Sequence, residues 1–210
     1  MLEKIVDSII KGDIASVPAA VKEALEANIE PRDILEKGLI AGMAVVGKRF
    51  KANEIFVPEV LLAAKAMHSG LDILEPVLAE TGVKPIAKVI VGTVKGDLHD
   101  IGKNLVVMML KGAGFEVVDL GIDIPSDVFV KKAVDEGVSV IAMSSLLTTS
   151  MPSMKEVVAL LKEQGLDSKI STVIGGAPVT QEYADEIGAN GYAADASSAV
   201  DKVKEILKKH

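Results

Sequence analysis

Apolar residues in the first part of the chain recur at the three- and four-residue spacing of amphipathic helices. The pattern predicts four helices: one over residues 2–10, one capped by Asp13, one that begins at Pro31 and one that begins at Pro58. Short connections between consecutive helices are typical of antiparallel bundles. We therefore expect a four-helix bundle domain over residues 1–84.

The hydrophobic period changes after residues 81–85, Thr-Gly-Val-Lys-Pro, whose composition is typical of a linker. Short β-branched runs then alternate with helical stretches. The expected strands cover residues 88–93, 116–120, 138–143 and 170–174, with a weak fifth near Tyr192. The expected helices lie near residues 102–112, 126–136, 150–164, 180–187 and 197–209. This alternation predicts a five-stranded parallel sheet with helices on both faces, in a Rossmann-like domain over residues 85–210.

Ligands of open parallel sheets bind beyond the carboxyl ends of the strands, where the strand order reverses. If the order is the flavodoxin-like 2-1-3-4-5, that point lies between the first and third strands. The segments that follow strands one, three and four are residues 95–104, 144–150 and 175–178. They are the most polar or glycine-rich stretches of this part of the chain, so we expect the functional site at this edge.

Composition narrows the class of protein. Aromatic residues make up 3% of the chain and Trp is absent, so the cores must be aliphatic. The net charge of −7 argues against a nucleic-acid partner, and no apolar run approaches the roughly 20 residues of a membrane helix. There is no Cys for disulfides or thiolate sites, and the first residues do not resemble a signal peptide. We expect a cytoplasmic protein with neither a nucleic-acid nor a membrane partner.

His99, one of three histidines, lies in the segment after the first strand, two residues beyond Asp97. A carboxylate in that position can accept a hydrogen bond from one ring nitrogen and make the other nitrogen a better metal ligand. The alternative is that His99 only packs or caps the loop. A single His without neighbouring His or Cys cannot hold zinc or iron alone. A metal would have to arrive already chelated, as in haem or a corrinoid.

The ordered motifs of the sheet domain resemble those of base-off, His-on cobalamin-binding domains. These motifs are Asp97-x-His99-x-x-Gly102, Ser144-x-Leu146 and Gly175-Gly176. The first part of the chain resembles the four-helix cap of methionine synthase and of methanogen and acetogen corrinoid proteins, notably over residues 53–60. The resemblance covers essentially the full chain, and the sequence is identified as a member of the corrinoid methyl-carrier proteins of anaerobic methyltransferase systems.

This resemblance implies a role for each matching residue. His99 would be the lower axial ligand of cobalt, Asp97 would hydrogen-bond it, and Ser150 would extend the relay. The remaining residues implied to bind the cofactor are Gly96, Leu98, Asp100, Ile101, Gly102, Ser144, Leu146, Thr148, Gly175, Gly176, Tyr192 and Ala196. Gly175 and Gly176 would let the nucleotide tail pass close to the backbone, unless they only serve ordinary turns. Phe56 and Val60 would shield the upper face of the corrin, unless they belong to the bundle core.

The implied cofactor is cobalamin or a related corrinoid, on whose cobalt a methyl group travels. The implied partners are a substrate-specific methyltransferase, an acceptor methyltransferase that uses tetrahydrofolate, a related pterin or a thiol, and a reductive activase. The chain itself would be the carrier subunit of such a system. The alternatives are a cobalamin-dependent sensor, the small subunit of an adenosylcobalamin-dependent isomerase, and a flavodoxin-like or receiver domain without corrinoid. Similar carriers serve methanol, methylamines, aryl methyl ethers and betaines, because the partner enzyme recognises the donor.

Overall fold

The computed structural model describes residues 1–82 and 84–208 and separates into two compact units. A helical unit comprises Met1–Ile86 with Lys111–Gly114, and a sheet unit comprises Ala87–Leu110 with Phe115–His210. Val83 of the predicted linker and Lys209 of the last predicted helix lie outside the described residues.

The helical unit contains the predicted bundle. Its α-helices are α1 (Leu2–Ile10), α2 (Ser16–Glu26), α3 (Pro31–Asp33), α4 (Ala41–Lys51) and α5 (Val57–Thr81). Asp13 stabilises the start of α2, as predicted, because its Oδ1 accepts a hydrogen bond from the Ser16 amide at 3.1 Å. Glu59 stabilises the start of α5 in the same way, because its Oε2 accepts a hydrogen bond from the Phe56 amide at 3.1 Å. Pro58 lies in the first turn of α5, as expected.

A π-helical segment, Ile34–Ile40, connects α3 to α4 and was not predicted from the sequence. The apolar spacing indicated one ordinary helix from Pro31 onward. Winding with bonds between residues five apart brings Ile34 and Leu39 over the same face. Both side chains are fully buried, so core burial accounts for the wider turn.

The sheet unit has five parallel strands in the order β2-β1-β3-β4-β5. The strands are β1 (Lys88–Thr93), β2 (Glu116–Asp119), β3 (Val140–Ser144), β4 (Ser171–Gly175) and β5 (Gly191–Ala193). This is the flavodoxin-like order expected from the sequence, and it confirms the predicted fold class. β1 occupies the position between β2 and β3, so the loops after all three strands meet at one edge.

Five helices accompany these strands within the described residues. They are α6 (Ile101–Gly112), α7 (Ser126–Asp135), α8 (Pro152–Glu163), α9 (Gln181–Ile187) and α10 (Ala196–Leu207). Consecutive residues of β1 are buried, which shows that both faces of the sheet are covered. One core cluster includes Ile90, Phe129, Ile141, Met154 and Leu161. No described helix combines the length and apolar character that crossing a membrane requires.

Candidate functional site

The loops predicted to form the site begin level with one another. Thr93 at the end of β1 pairs with Ser144 at the end of β3, and Ser144 pairs with Gly175 at the end of β4. Because the strands are parallel, the segments that follow these residues leave the same edge of the sheet. The loop after β1 carries His99, and the loop after β3 carries Ser150.

The Asp97 carboxylate joins these two loops. Its Oδ1 accepts a hydrogen bond from the His99 amide at 3.0 Å and lies 2.7 Å from His99 Nδ1. Its Oδ2 accepts hydrogen bonds from the Leu146 amide at 2.6 Å, the Ser150 hydroxyl at 3.2 Å and the Leu147 amide at 3.3 Å. Asp97 has 0% exposure. The side chain therefore fixes His99 relative to the loop after β3.

The pKa of Asp97 follows from these contacts. Burial raises this pKa, but a larger opposite effect comes from hydrogen bonds together. The donors are the amides of His99 and Leu146, the His99 ring and the Ser150 hydroxyl, and the net result is a pKa lowered to about 2. The group is therefore an anion near neutral pH, and an anionic carboxylate can only accept hydrogen bonds. The hydrogen between Asp97 and His99 must belong to Nδ1, which leaves the lone pair of a neutral ring on Nε2.

The His99 ring is open to solvent on its other side. Its side chain is 52% exposed, and Nε2 has no hydrogen-bond partner within residues 1–82 and 84–208. Large apolar side chains are exposed in the loops after β1, β2 and β3 and at the start of α6, at the same edge. They are Leu98, Ile101, Ile122, Leu146 and Leu147. The arrangement presents one nitrogen ligand beside an apolar surface.

Two polar side chains at this site were not identified from the sequence. Ser145 is buried with its Oγ 2.7 Å from that of Ser150, and so extends the chain of hydrogen bonds from Asp97. Thr93 Oγ1 donates to the His99 carbonyl at 2.8 Å. No sequence signal separated Ser145 from Ser144, because both are serines at the end of a strand covered on both faces. Ser144 is half-buried.

Close contacts with the backbone of the same chain favour glycine at positions 175 and 176. Gly176 has φ +128°, and a Cβ there would overlap the carbonyl oxygen of Ser145. A Cβ on Gly175 would lie 2.7 Å from the carbonyl oxygen of Ala193. These contacts explain both residues through close backbone approach. Their expected role beside a nucleotide tail stays a prediction.

Three further residues expected at the site lie around the same loop. Gly96 has φ +83°, a conformation that favours glycine. Asp100 accepts hydrogen bonds from Asn104, at 2.7 Å to its carbonyl and 3.0 Å to Oδ2, and so stabilises the start of α6. Gly102 lies in the first turn of α6 with no atom close to the place of a Cβ.

The remaining expected residues are more scattered. Thr148 is exposed in the loop after β3, Tyr192 is half-buried on β5, and Ala196 is buried at the start of α10. In the helical unit Phe56 is 64% exposed, whereas Val60 is fully buried. Of these two, only Phe56 offers a surface to a ligand.

Comparisons with known proteins cover the whole length of the chain. Residues 87–201 and residues 1–75 each match a family model described as a B12 binding domain. Dimethylamine corrinoid protein 2 of Methanosarcina acetivorans is 45% identical over 208 residues, which are 99% of this chain and 96% of the relative. Trimethylamine corrinoid protein 1 of the same organism is 41% identical over 209 residues, covering 99% and 97%. The crystal structure of a methanol:cobalamin methyltransferase complex from Methanosarcina barkeri matches with a TM-score of 0.87 and 31% identity, covering 100% of this chain and 80% of that one.

Proposed function

Since the chain belongs to the family of corrinoid proteins built from B12-binding domains, we propose that it carries a methyl group on a corrinoid whose cobalt is ligated from below by His99 Nε2. The corrinoid would be bound base-off, with the imidazole of His99 in place of the cofactor's own base. One observation carries this proposal: Nδ1 is held by Asp97 while Nε2 has no described partner.

The residues present fit such a cofactor. A single imidazole nitrogen can complete the coordination of a metal whose other ligands belong to a macrocycle. The exposed apolar side chains beside His99, among them Leu98, Ile101 and Leu146, suit the flat apolar surface of a corrin ring. When bound, the corrinoid supplies the cobalt that accepts and releases the methyl group.

The chain's own contribution is to control the ligand. The Asp97 carboxylate holds Nδ1 of the His99 ring and so leaves Nε2 as the nitrogen that a metal can bind. The Ser150 hydroxyl donates to the second oxygen of that carboxylate and lies 2.7 Å from the Ser145 hydroxyl, so the two serines restrain its direction. Because Nε2 has one lone pair, it could hold either the metal or a proton, and the two would compete for it.

We assign residues 1–84 to a cap domain and residues 85–210 to the corrinoid-binding domain. The proposed partners are a substrate-specific methyltransferase, an acceptor methyltransferase that uses tetrahydrofolate, a related pterin or a thiol, and a reductive activase. Two relatives above 40% identity are named for methylamines, which favours a methylamine methyltransferase as the donor partner. Assays of corrinoid methylation with a panel of donor methyltransferases test this choice, and activity only with a methanol enzyme would contradict it.

The substitution His99→Ala tests the axial ligand. The variant should still take up added hydroxocobalamin, because the rest of the site is intact, but its visible spectrum should lose the features of histidine bound to cobalt. His68→Ala is the matched control, since His68 lies exposed on α5. A spectrum unchanged by His99→Ala would remove His99 from this role. A wild-type protein that stays colourless with hydroxocobalamin would instead support a receiver-like domain without corrinoid.

A further inference from the structure

Asp123 has a backbone conformation that needs an explanation. Its φ is +55°, in the left-handed region, and it is the only non-glycine residue of the sheet unit with positive φ among the residues described. Asn28 and Asn53 share this conformation in the helical unit, where each follows the last turn of a helix. Asp123 follows no helix, because it lies in the loop between β2 and α7. Such strain persists only where the surrounding contacts impose it.

The contacts of Asp123 all lead to the loop that carries His99. Its Oδ1 accepts a hydrogen bond from the Gly96 amide at 2.7 Å, and its own amide donates to the Asp97 carbonyl at 3.1 Å. The next residue, Ile124, donates its amide to the Thr93 carbonyl at 3.0 Å. One residue in a left-handed conformation therefore holds two consecutive residues, Gly96 and Asp97, which lie three and two positions before His99.

Asp97 is thus held on two sides by different groups. The loop after β3 binds the Asp97 carboxylate through the Leu146 amide and the Ser150 hydroxyl. The loop after β2 binds the Asp97 main chain through Asp123. The Asp97 amide donates to the Val94 carbonyl at 3.2 Å, and Asp123 adds the contact that holds the Asp97 carbonyl, so both ends of this residue's main chain are fixed. Fixing both parts of Asp97 defines where Nε2 points.

We propose that Asp123 is a positioning residue for the Asp97–His99 pair, an inference that rests on the proposed role of His99 as axial ligand. Its acceptor oxygen and its left-handed conformation are both required. Asp123→Asn keeps an acceptor oxygen and tolerates the left-handed region, whereas Asp123→Gly relieves the strain but removes the acceptor. These two variants separate the effect of the hydrogen bond from the effect of the left-handed conformation. Asn28→Gly makes a comparable change in the helical unit and serves as the control.

Two measurements on the full chain test the proposal. Without corrinoid, NMR hydrogen exchange reports the Gly96 amide, and the ring-nitrogen signals of His99 report its bond to Asp97. With hydroxocobalamin, the visible spectrum at fixed pH reports the ratio of histidine-bound to histidine-free cobalt. In Asp123→Gly we expect both the Gly96 protection and that ratio to fall about tenfold, the equivalent of one hydrogen bond. Asp123→Asn and Asn28→Gly should stay near the wild type.

Each other outcome is decisive. An Asp123→Gly variant with wild-type Gly96 exchange and a wild-type spectrum overturns the inference, because the residue would then only shape the turn. An Asp123→Asn variant as defective as Asp123→Gly overturns the assigned acceptor role. If His99→Ala leaves the wild-type spectrum unchanged, it is the axial-ligand assignment that fails. The Gly96 exchange and His99 ring signals, which need no corrinoid, then still decide whether Asp123 positions the pair.

Discussion

Replacing Asp97 by Asn should destabilise the sheet unit by an amount that the structure allows us to work out. The pKa of the carboxyl falls from an ordinary value of 3.8 to about 2 on folding, because its hydrogen bonds outweigh the cost of burial. A difference of this size corresponds to about 2 kcal/mol of free energy of unfolding. An amide at this position would also turn NH₂ hydrogens toward amide and hydroxyl donors. We therefore expect Asp97→Asn to cost at least about 2 kcal/mol at pH 7.

The pH dependence has a definite sign. A carboxyl whose pKa is lowered on folding stabilises the protein fully above its unfolded pKa, and this contribution is lost as the pH falls through the folded pKa. For Asp97 the window runs from about pH 4 down to about pH 2. The stability difference between wild type and Asp97→Asn should therefore shrink as the pH falls below about 4.

Tyrosine fluorescence during urea unfolding measures this difference selectively. The chain has no Trp, and its two tyrosines, Tyr183 and Tyr192, both lie in the sheet unit. Asp167→Asn, at an exposed turn of the same unit, is the control and should change the stability by less than about 0.5 kcal/mol. A wild-type Asp97 that titrates near pH 4 by carboxyl NMR, or an Asp97→Asn variant as stable as the control, would refute the reasoning.

Two other substitutions test the packing around the site by the same assay. Gly176→Ala should cost roughly 3 kcal/mol or more, because it adds a clash with Ser145 to the strain of a positive φ, whereas Gly165→Ala, with positive φ but open space, should cost only about 1 kcal/mol. Equal costs would contradict the close approach. Asp119→Ala should cost about 3 kcal/mol, because it removes the carboxylate 2.6 Å from the ammonium of Lys103, which is 3% exposed. Lys103→Met should reduce the stability less than Asp119→Ala, since the remaining Asp119 carboxylate can be hydrated. The reverse order would show that the buried charge of Lys103 does not cause the loss of stability.

The hydrophobic pattern predicted the sheet well because buried strands leave strong local signals. The predicted strand 88–93 matches β1, and the predicted strand 138–143 differs from β3 by at most two residues at either end. The alternation of strands and helices predicted a parallel sheet, and the flavodoxin-like strand order, which entered as a condition, is the order observed. The position of the site followed in turn, because ligand loops of such sheets share one edge.

Hydrogen bonds across loops could not be predicted in the same way. Asp123 contacts a segment 27 residues earlier in the chain, and neither its spacing nor its polarity marks that contact. The double glycine illustrates the same limit: the close approach of Gly176 to the backbone of Ser145 exists only in the folded chain, and the expected place beside a nucleotide tail stays a prediction. The π-helical segment Ile34–Ile40 depends on which residues the rest of the bundle buries. Each of these features is decided by tertiary packing rather than by local sequence.

The hydrogen bonds around Asp97 also set how stability and ligation are related at this site. Asp97 is buried and satisfied, so its loss should reduce both the stability of the sheet unit and the control of His99. The His99 side chain is half exposed and makes one hydrogen bond among the residues described, to Asp97, so its loss should affect ligation far more than stability. Asp123 lies at the surface and should resemble His99 in this respect. A variant series in which ligation and stability fall together for Asp97 but separate for His99 and Asp123 is therefore the pattern that this geometry requires.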